Sequence, residues 1–412
     1  MPASAIALLK PCRSDNDSFV AALTDRGDRG YALFSARPDI VVLTDEAHRT
    51  QYDTLAVNMR TSLPHAMFIA FTGTPLIAGE ERTREVFGDY VSIYDFQQSV
   101  EDGATVPLFY ENRTPELHLT NPDLNEDIYA LIEEAELDDE AEKRLEKKLG
   151  RQYHIITRDD RLEKVAKDLV AHFLDRGFQG KAMVVSIDKA TALRMYEKVR
   201  RYWRAEREAV EKQLSELTNL TTPDADKVRA LNERLAILTR IDMAVIVSAA
   251  QNEVEAMTTL GLDIVPHRRR MNAEPLDEKF KDPDDPLSIA FVCAMWLTGF
   301  DAPSCSTIYL DKPMRNHTLM QTIARANRVY PGKHSGFIVD YANVFASLEK
   351  ALAIYGAGKG GLSPVRNKAE LIDELRKAMA AAAEFLRESW RSARRYRDRF
   401  GPESSRPYCR SR

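Results

Sequence analysis

The chain has 412 residues, 44% of them hydrophobic and 29% charged, with a formal net charge of −5. That length exceeds one ordinary core, so two core-bearing domains with additional helical segments are expected. The composition is that of a folded soluble protein. No apolar run approaches the ~20 residues of a membrane span, and a uniformly basic nucleic-acid coat is excluded, although a local basic track is not.

The start, MPASAIALLK, is too short and too weakly patterned for a secretory signal. Cys12, Cys293, Cys305 and Cys409 lie far apart without a CxxC pair, which points to a reducing cytoplasm and away from a zinc site.

In chain order, the first organised stretch runs from Asp39 to Pro75. The apolar run Ile40–Leu43 predicts a buried strand, Leu55, Met59 and Leu63 share a helical face, and Met67–Phe71 predicts a second buried strand. This is a β–α–β unit. From about Thr114 to Arg176 the Glu/Lys-rich sequence with weak apolar spacing reads as a helical connector. Short apolar strands follow at Ala182–Ser186, Val245–Ser248, Ile289–Cys293, Thr307–Leu310 and Gly336–Val339, alternating with helical stretches as in a parallel α/β sheet.

Val210, Leu214 and Leu217, then Val228, Leu231, Leu235 and Leu238, recur at three- and four-residue steps around Thr222-Pro223. Thr222 can cap a helix and Pro223 can occupy its first turn, so an inserted helical hairpin is expected. Such a hairpin could grip DNA or a partner, but its apolar stripes are more simply read as packing against each other. Beyond Ser363, Leu371, Leu375, Met379 and Ala382 predict an amphipathic helix. After it Arg391, Arg394, Arg395, Arg397 and Arg399 crowd around Trp390 and Tyr396. That basic, aromatic tail fits phosphate contact, docking on a partner, or the end of a helix whose natural neighbour is missing.

The chemistry begins at Asp45-Glu46-Ala47-His48, directly after the first strand. A carboxylate at the carboxyl end of a parallel strand lies where phosphates and their magnesium bind, and a neighbouring glutamate can orient or deprotonate an attacking water. Asp45 is therefore the candidate Mg²⁺ ligand and Glu46 the candidate catalytic base. Thr72-Gly73-Thr74-Pro75 follows the next strand, and hydroxyls there can bond both the carboxylate loop and an opposite lobe.

Together these boxes resemble DEAH-type superfamily 2 helicases. The longer string from Asp45 to Leu76, with FTGTP at Phe71–Pro75 and the exit Phe87–Arg113, resembles the motor (restriction, R) subunit of type I restriction enzymes. The second region carries further resemblances: Lys181–Asp188 to motif IV, Met295–Pro303 to motif V, and Gln321–Arg328 to motif VI. Leu310–Pro313 and Gly336–Tyr341 flank motif VI as in the family. The resemblance implies ATP and Mg²⁺ as cofactors, with Asp45, Thr72, Thr74, Gly299, Asp301 and Gln321 in the nucleotide cleft and Glu46, Arg325 and Arg328 catalytic. On a helix Arg325 and Arg328 would share a face and could present two guanidiniums to a phosphate. An arginine finger is worth about 10³–10⁵ in rate.

The departures are as informative. No G-x-x-x-x-G-K-[ST] phosphate loop precedes Asp45. Gly356–Gly361 contains a lysine at Lys359 but no glycine at the required earlier position, Gly360 where the hydroxyl should follow and no strand leading in, so it reads as a flexible joint. Asp277-Glu278-Lys279 spells part of a nuclease signature but lies in a charged, Pro-rich stretch between strands, and reads as a decoy.

The expected architecture is α/β with tandem RecA-like parallel-sheet lobes, the first truncated. A first lobe at 1–112, a helical connector at 113–178, a second lobe at 179–345 with a hairpin at 197–241, and a helical basic tail at 346–412 make up the chain. The expected function is a fragment of a type I restriction motor, whose relatives couple ATP hydrolysis to translocation of double-stranded DNA beside modification (methyltransferase) and specificity subunits. The fragment itself is expected to be cytoplasmic, poorly soluble alone and inactive by itself in both ATP hydrolysis and DNA cleavage. Alternatives are a non-catalytic module docking on DNA or methyltransferase, or another superfamily 2 remodeller or repair helicase.

Overall fold

The computed structural model describes residues 6–9, 35–44, 60–71, 91–92, 94, 96–113, 151–178, 180–219, 224–314, 316–344, 365–367, 372–373 and 375–387. A first sheet has three parallel strands in the order β1 (Ile6–Leu9), β2 (Val41–Thr44) and β3 (Met67–Ala70). The apolar runs at Ile40 and Met67 form strands, but not the buried strands expected: β2 is buried only at Val42 and Thr44, and in β3 Phe68 is buried while Met67 and Ile69 are exposed. Strand β1 was not anticipated, because four apolar residues near a terminus carry no turn or period signal of their own. Its place is set by parallel register with β2, Ile6 beside Val41 and Leu9 beside Thr44.

The remaining elements are α1 (Phe96–Glu101), β4 (Leu108–Asn112), α2 (Arg151–Ile156), α3 (Asp159–Asp175) and β5 (Lys181–Ser186). Helices α4 (Lys189–Thr218) and α5 (Ala225–Arg240) precede β6 (Asp242–Ile246). Then come α6 (Glu253–Thr259), α7 (Val265–Ala273), α8 (Leu276–Lys281), β7 (Leu287–Val292), β8 (Cys305–Asp311), α9 (Asn316–Ile323), β9 (Gly336–Asp340) and β10 (Val365–Asn367). Strands β4 to β10 form a seven-stranded sheet in the order β10-β4-β9-β8-β5-β7-β6. Its pairings are parallel throughout.

A parallel sheet covered on both faces needs strands that are apolar on both sides, and β5, β7 and β8 are buried at every position. Alternate residues divide between two cores. One face packs Met183, Val185, Ala290, Val292, Ile308, Leu310 and Ile338 against Phe280 of α8 and Leu319 and Ile323 of α9. The other packs Ala182, Val184, Ile289, Phe291, Tyr309 and Val339 against α3 and the first half of α4. Each such fully buried side chain contributes roughly 1.5–3 kcal/mol over its exposed state.

The hairpin is present and packs on itself: Trp203 Nε1 donates to the Leu238 carbonyl at 2.9 Å, and Val210 and Leu238 are buried. Its first helix starts at Lys189 rather than 197, because Asp188 caps it, accepting from Thr191 N at 2.6 Å. The cap of α5 is Asp224, which accepts from Asp226 N and Lys227 N; Thr222 and Pro223 lie outside the described residues.

Two boundaries expected from the sequence do not follow the sheets. Strand β4, expected in the first lobe, pairs with β9 in the second sheet, Leu108 beside Gly336 and Asn112 beside Asp340. Helix α3, expected in the connector, buries Leu162, Val165, Leu169 and Phe173 against the second sheet. Its apolar spacing of three and four residues is that of a core helix, and the charges around it mask that pattern. Residues 114–150, the phosphate-loop decoy at Gly356–Gly361, and the basic tail from residue 388 onward, including Trp390 and Arg391, lie outside the described residues. Asp277, Glu278 and Lys279 sit on α8, a helix.

Candidate functional site

The acidic and hydroxyl boxes are not described: Asp45, Glu46, Thr72 and Thr74 lie outside the described residues. Thr44, the last residue of β2, is buried and pairs with Ala70 of β3, so the strands that lead into the two boxes are adjacent and in register.

In the second sheet the motif V loop connects β7 to β8. It contains two left-handed residues, Trp296 at φ 70° and Gly299 at φ 69°. A side chain at Gly299 would meet no protein atom within 4 Å, so it is the left-handed backbone conformation that favours glycine there. Trp296 holds the same region without that freedom, a strained position for a bulky residue. Its indole stacks on Phe300 with ring centroids 4.3 Å apart and planes 5° apart, and Phe280 of α8 packs on both rings. The loop is thus shaped by one permissive residue and one strained residue held in place by aromatic packing.

Motif VI differs from its expected form. Helix α9 ends at Ile323, and the chain then tightens, Arg325 N donating to the Thr322 carbonyl and Ala326 N to the Ile323 carbonyl. Arg325 lies in this turn and Arg328 in an extended bridge opposite Thr105, so the two do not share a helical face. The reason is tertiary: Asn327 accepts a hydrogen bond from Val106 N at 2.7 Å, which draws the backbone out of the helix.

The two arginines nevertheless converge on one target, the motif V loop. Arg325 Nη1 donates to the Phe300 carbonyl and its Nε to the Gln321 carbonyl at 3.1 Å. Arg328 Nε lies 3.2 Å from Asp301 Oδ1. Gly299, Asp301, Gln321, Arg325 and Arg328, expected together from sequence, are therefore joined through Phe300 and Asp301. Two guanidiniums beside a left-handed loop form a donor set suited to phosphate oxygens.

Carboxylates also stand at the carboxyl ends of the central strands, but each is engaged by the fold. Asp188 caps α4 and accepts from Tyr153 Oη at 2.5 Å. Asp311 pairs with Arg161 at 2.6 Å, both fully buried, and Arg161 also donates to the carbonyls of Ile156 and Tyr341. Asp340 accepts from Tyr110 Oη, Ala342 N and Val344 N. Burial pushes the Asp340 carboxyl up to about 6 against the pull of those hydrogen bonds, and burial likewise raises Asp311 against the pull of Arg161. Among the described residues no group of three or more His, Cys, Asp or Glu side chains is placed to hold a metal ion. No helix among them is long and apolar enough to cross a membrane.

Sequence reasoning missed Ser99, Thr105 and Trp296. Ser99 and Thr105 sit in a segment read only as the exit from the first lobe, and nothing local marks a bridge to residue 328. The strain at Trp296 has no sequence signal, because tryptophan ordinarily avoids positive φ.

Comparison with known proteins bears on these loops. The family profile described as SWI2/SNF2 ATPase matches residues 9–143, and that described as type I restriction enzyme subunit R domain 3 matches residues 179–343. The chain is 36% identical over 333 residues to a Methanocaldococcus jannaschii protein named as the MjaIXP type I restriction enzyme endonuclease subunit, covering 80% of this chain and 28% of that one. It is 34% identical over 368 residues to the type I restriction enzyme HindI endonuclease subunit of Haemophilus influenzae, covering 83% of this chain and 30% of that one. A solved fragment of an HsdR subunit of a type I restriction enzyme from Vibrio vulnificus YJ016 aligns with TM-score 0.43 and 17% identity, over 79% of this chain and 47% of that one. The chain thus spans under a third of the length of the two sequence relatives; the first profile match contains β2, β3 and β4, and the second contains β5 to β9. On these sequence matches, the chain belongs to the R-subunit family of type I restriction enzymes.

Proposed function

We propose that this chain is part of an ATP-driven motor that moves double-stranded DNA within a type I restriction complex. The observation that carries this reading is the convergence of Arg325 and Arg328 on the Phe300–Asp301 stretch of the motif V loop. Arginines anchored this way sit next to the loop they must act with, and their fork geometry suits phosphate oxygens. In this reading Arg325 and Arg328 contact the nucleotide phosphates, Asp301 and Gln321 orient them, and Gly299 lets the loop turn. Asp45 holds Mg²⁺, Glu46 acts as the base toward water, and Thr72 and Thr74 line the cleft. Bound Mg²⁺ supplies charge neutralisation at the phosphates. The modification and specificity subunits are the proposed protein partners, the cytoplasm the proposed compartment. The chain is proposed to be a fragment of the motor.

The test is Mg²⁺-ATP turnover by the purified chain, alone and with duplex DNA. Turnover that DNA stimulates and that Glu46→Gln abolishes supports the motor reading; turnover that survives Glu46→Gln removes Glu46 as the base. Salt-sensitive DNA binding without turnover supports a docking module instead.

A further inference from the structure

The backbone of Arg328 is not held by the helix that precedes it, since α9 ends five residues earlier at Ile323. It is held by a distant part of the chain. Thr105 and Arg328 form an antiparallel bridge, and Val106 N donates to the Asn327 carbonyl at 2.7 Å. One residue on, the Pro107 carbonyl accepts from Gly336 N at 2.9 Å, which ties the same segment to the first residue of β9.

The segment that makes these bonds is itself locked. The Ser99 carbonyl accepts from both Ala104 N and Thr105 N, and the turn passes through Gly103 at φ 70°. The Ser99 and Thr105 hydroxyls lie 2.6 Å apart, and Ser99 is buried. Phe96 of α1 packs on the same core that holds Leu319 and Ile323 of α9. A turn fixed at both ends and pinned to the core is a rigid support, whereas a free loop would let residues 327–328 swing.

We infer that the Ser99–Val106 turn positions Arg328, with the Ser99–Thr105 hydroxyl pair as its lock. Thr105 sets the backbone from which the Arg328 guanidinium reaches Asp301, and it touches no reacting group. This inference rests on the motor reading for its consequence in catalysis, while the support itself is a property of the fold.

The experiment compares Thr105→Val, which deletes the hydroxyl at nearly constant volume, with Thr105→Ser, which keeps it. Amide hydrogen exchange of the peptide covering residues 324–330 is measured in the full chain, together with thermal melting. Thr105→Val is expected to raise exchange in that peptide roughly tenfold while global melting holds, and Thr105→Ser to restore protection. Unchanged exchange in Thr105→Val overturns the inference, as does exchange that rises equally across the second sheet. If the wild-type chain turns over ATP, Thr105→Val is expected to lower kcat roughly tenfold or more with KM for ATP little changed, since small misplacements of a catalytic group cost that much. An unchanged kcat overturns the inference. A wild-type chain without turnover counts against the motor reading alone, and the exchange result then decides the support.

Discussion

Arg328 Nε lies 3.2 Å from Asp301 Oδ1, with the two side chains 46% and 57% exposed. An ion pair this open to water contributes only about 0–1 kcal/mol to stability. Its consequence is geometric, because it fixes where one motif VI arginine points relative to the loop that carries Gly299. Asp301→Asn is therefore expected to leave the urea midpoint nearly unchanged while lowering nucleotide turnover. A large loss of stability in equilibrium unfolding would show that Asp301 is structural.

The Arg161–Asp311 pair is the opposite case. Both side chains are fully buried, and Arg161 also bonds two carbonyls from α2 and the end of β9. Arg161→Met would leave Asp311 as an uncompensated buried carboxyl, at a cost of about 3–5 kcal/mol. Replacing both partners with apolar residues is expected to recover much of that loss. Urea denaturation of the two single variants and the double variant measures the coupling.

Gly336 tests the crossing of β4, β9 and motif VI. A Cβ there would overlap the Ala326 carbonyl oxygen and meet Leu108 Cδ2 at 2.7 Å. The backbone oxygen cannot step aside alone, because Asn327 and Arg328 are bonded to Val106 and Thr105. Gly336→Ala is expected to destabilise by about 1–3 kcal/mol, the range for overpacking a filled core. Chemical denaturation gives that figure, and hydrogen exchange at residues 324–330 should report where the displacement goes.

Asp340 gives the second sheet a pH response. Burial pushes its carboxyl up to about 6, whereas an aspartate in the unfolded chain titrates near 4. Between those values the folded state binds more protons than the unfolded state, so stability falls as pH rises through that window. The contribution is fully present below about pH 4 and lost above about pH 6, at most about 1.4 kcal/mol for each pH unit. Asp340→Asn should remove this dependence; unfolding of wild type and variant followed from pH 4 to pH 7 checks the sign.

Much of the architecture is legible in local sequence. Buried parallel strands need largely apolar runs, and Lys181–Ser186 and Leu287–Val292 stand out for that reason. The hairpin is legible because its two stripes repeat at helical spacing, and the family is legible because motif loops are short, contiguous strings. Boundaries were less legible: α3 is densely charged on its solvent side, and β1 has too few residues for any period.

What depends on partners far along the chain was decided only by tertiary structure. The sequence determined the parallel α/β class, the family and the residues of motifs V and VI, since each is written in local pattern and residue type. Tertiary structure decided that Leu108–Asn112 joins the second sheet, and that motif VI leaves its helix before Arg325. It also decided that Arg328 rests on Thr105. The physical reason is the same in each case: a backbone donor or acceptor must find a partner once water is removed. Which partner it finds depends on sheet order and close approach, and no window of neighbouring residues contains that information.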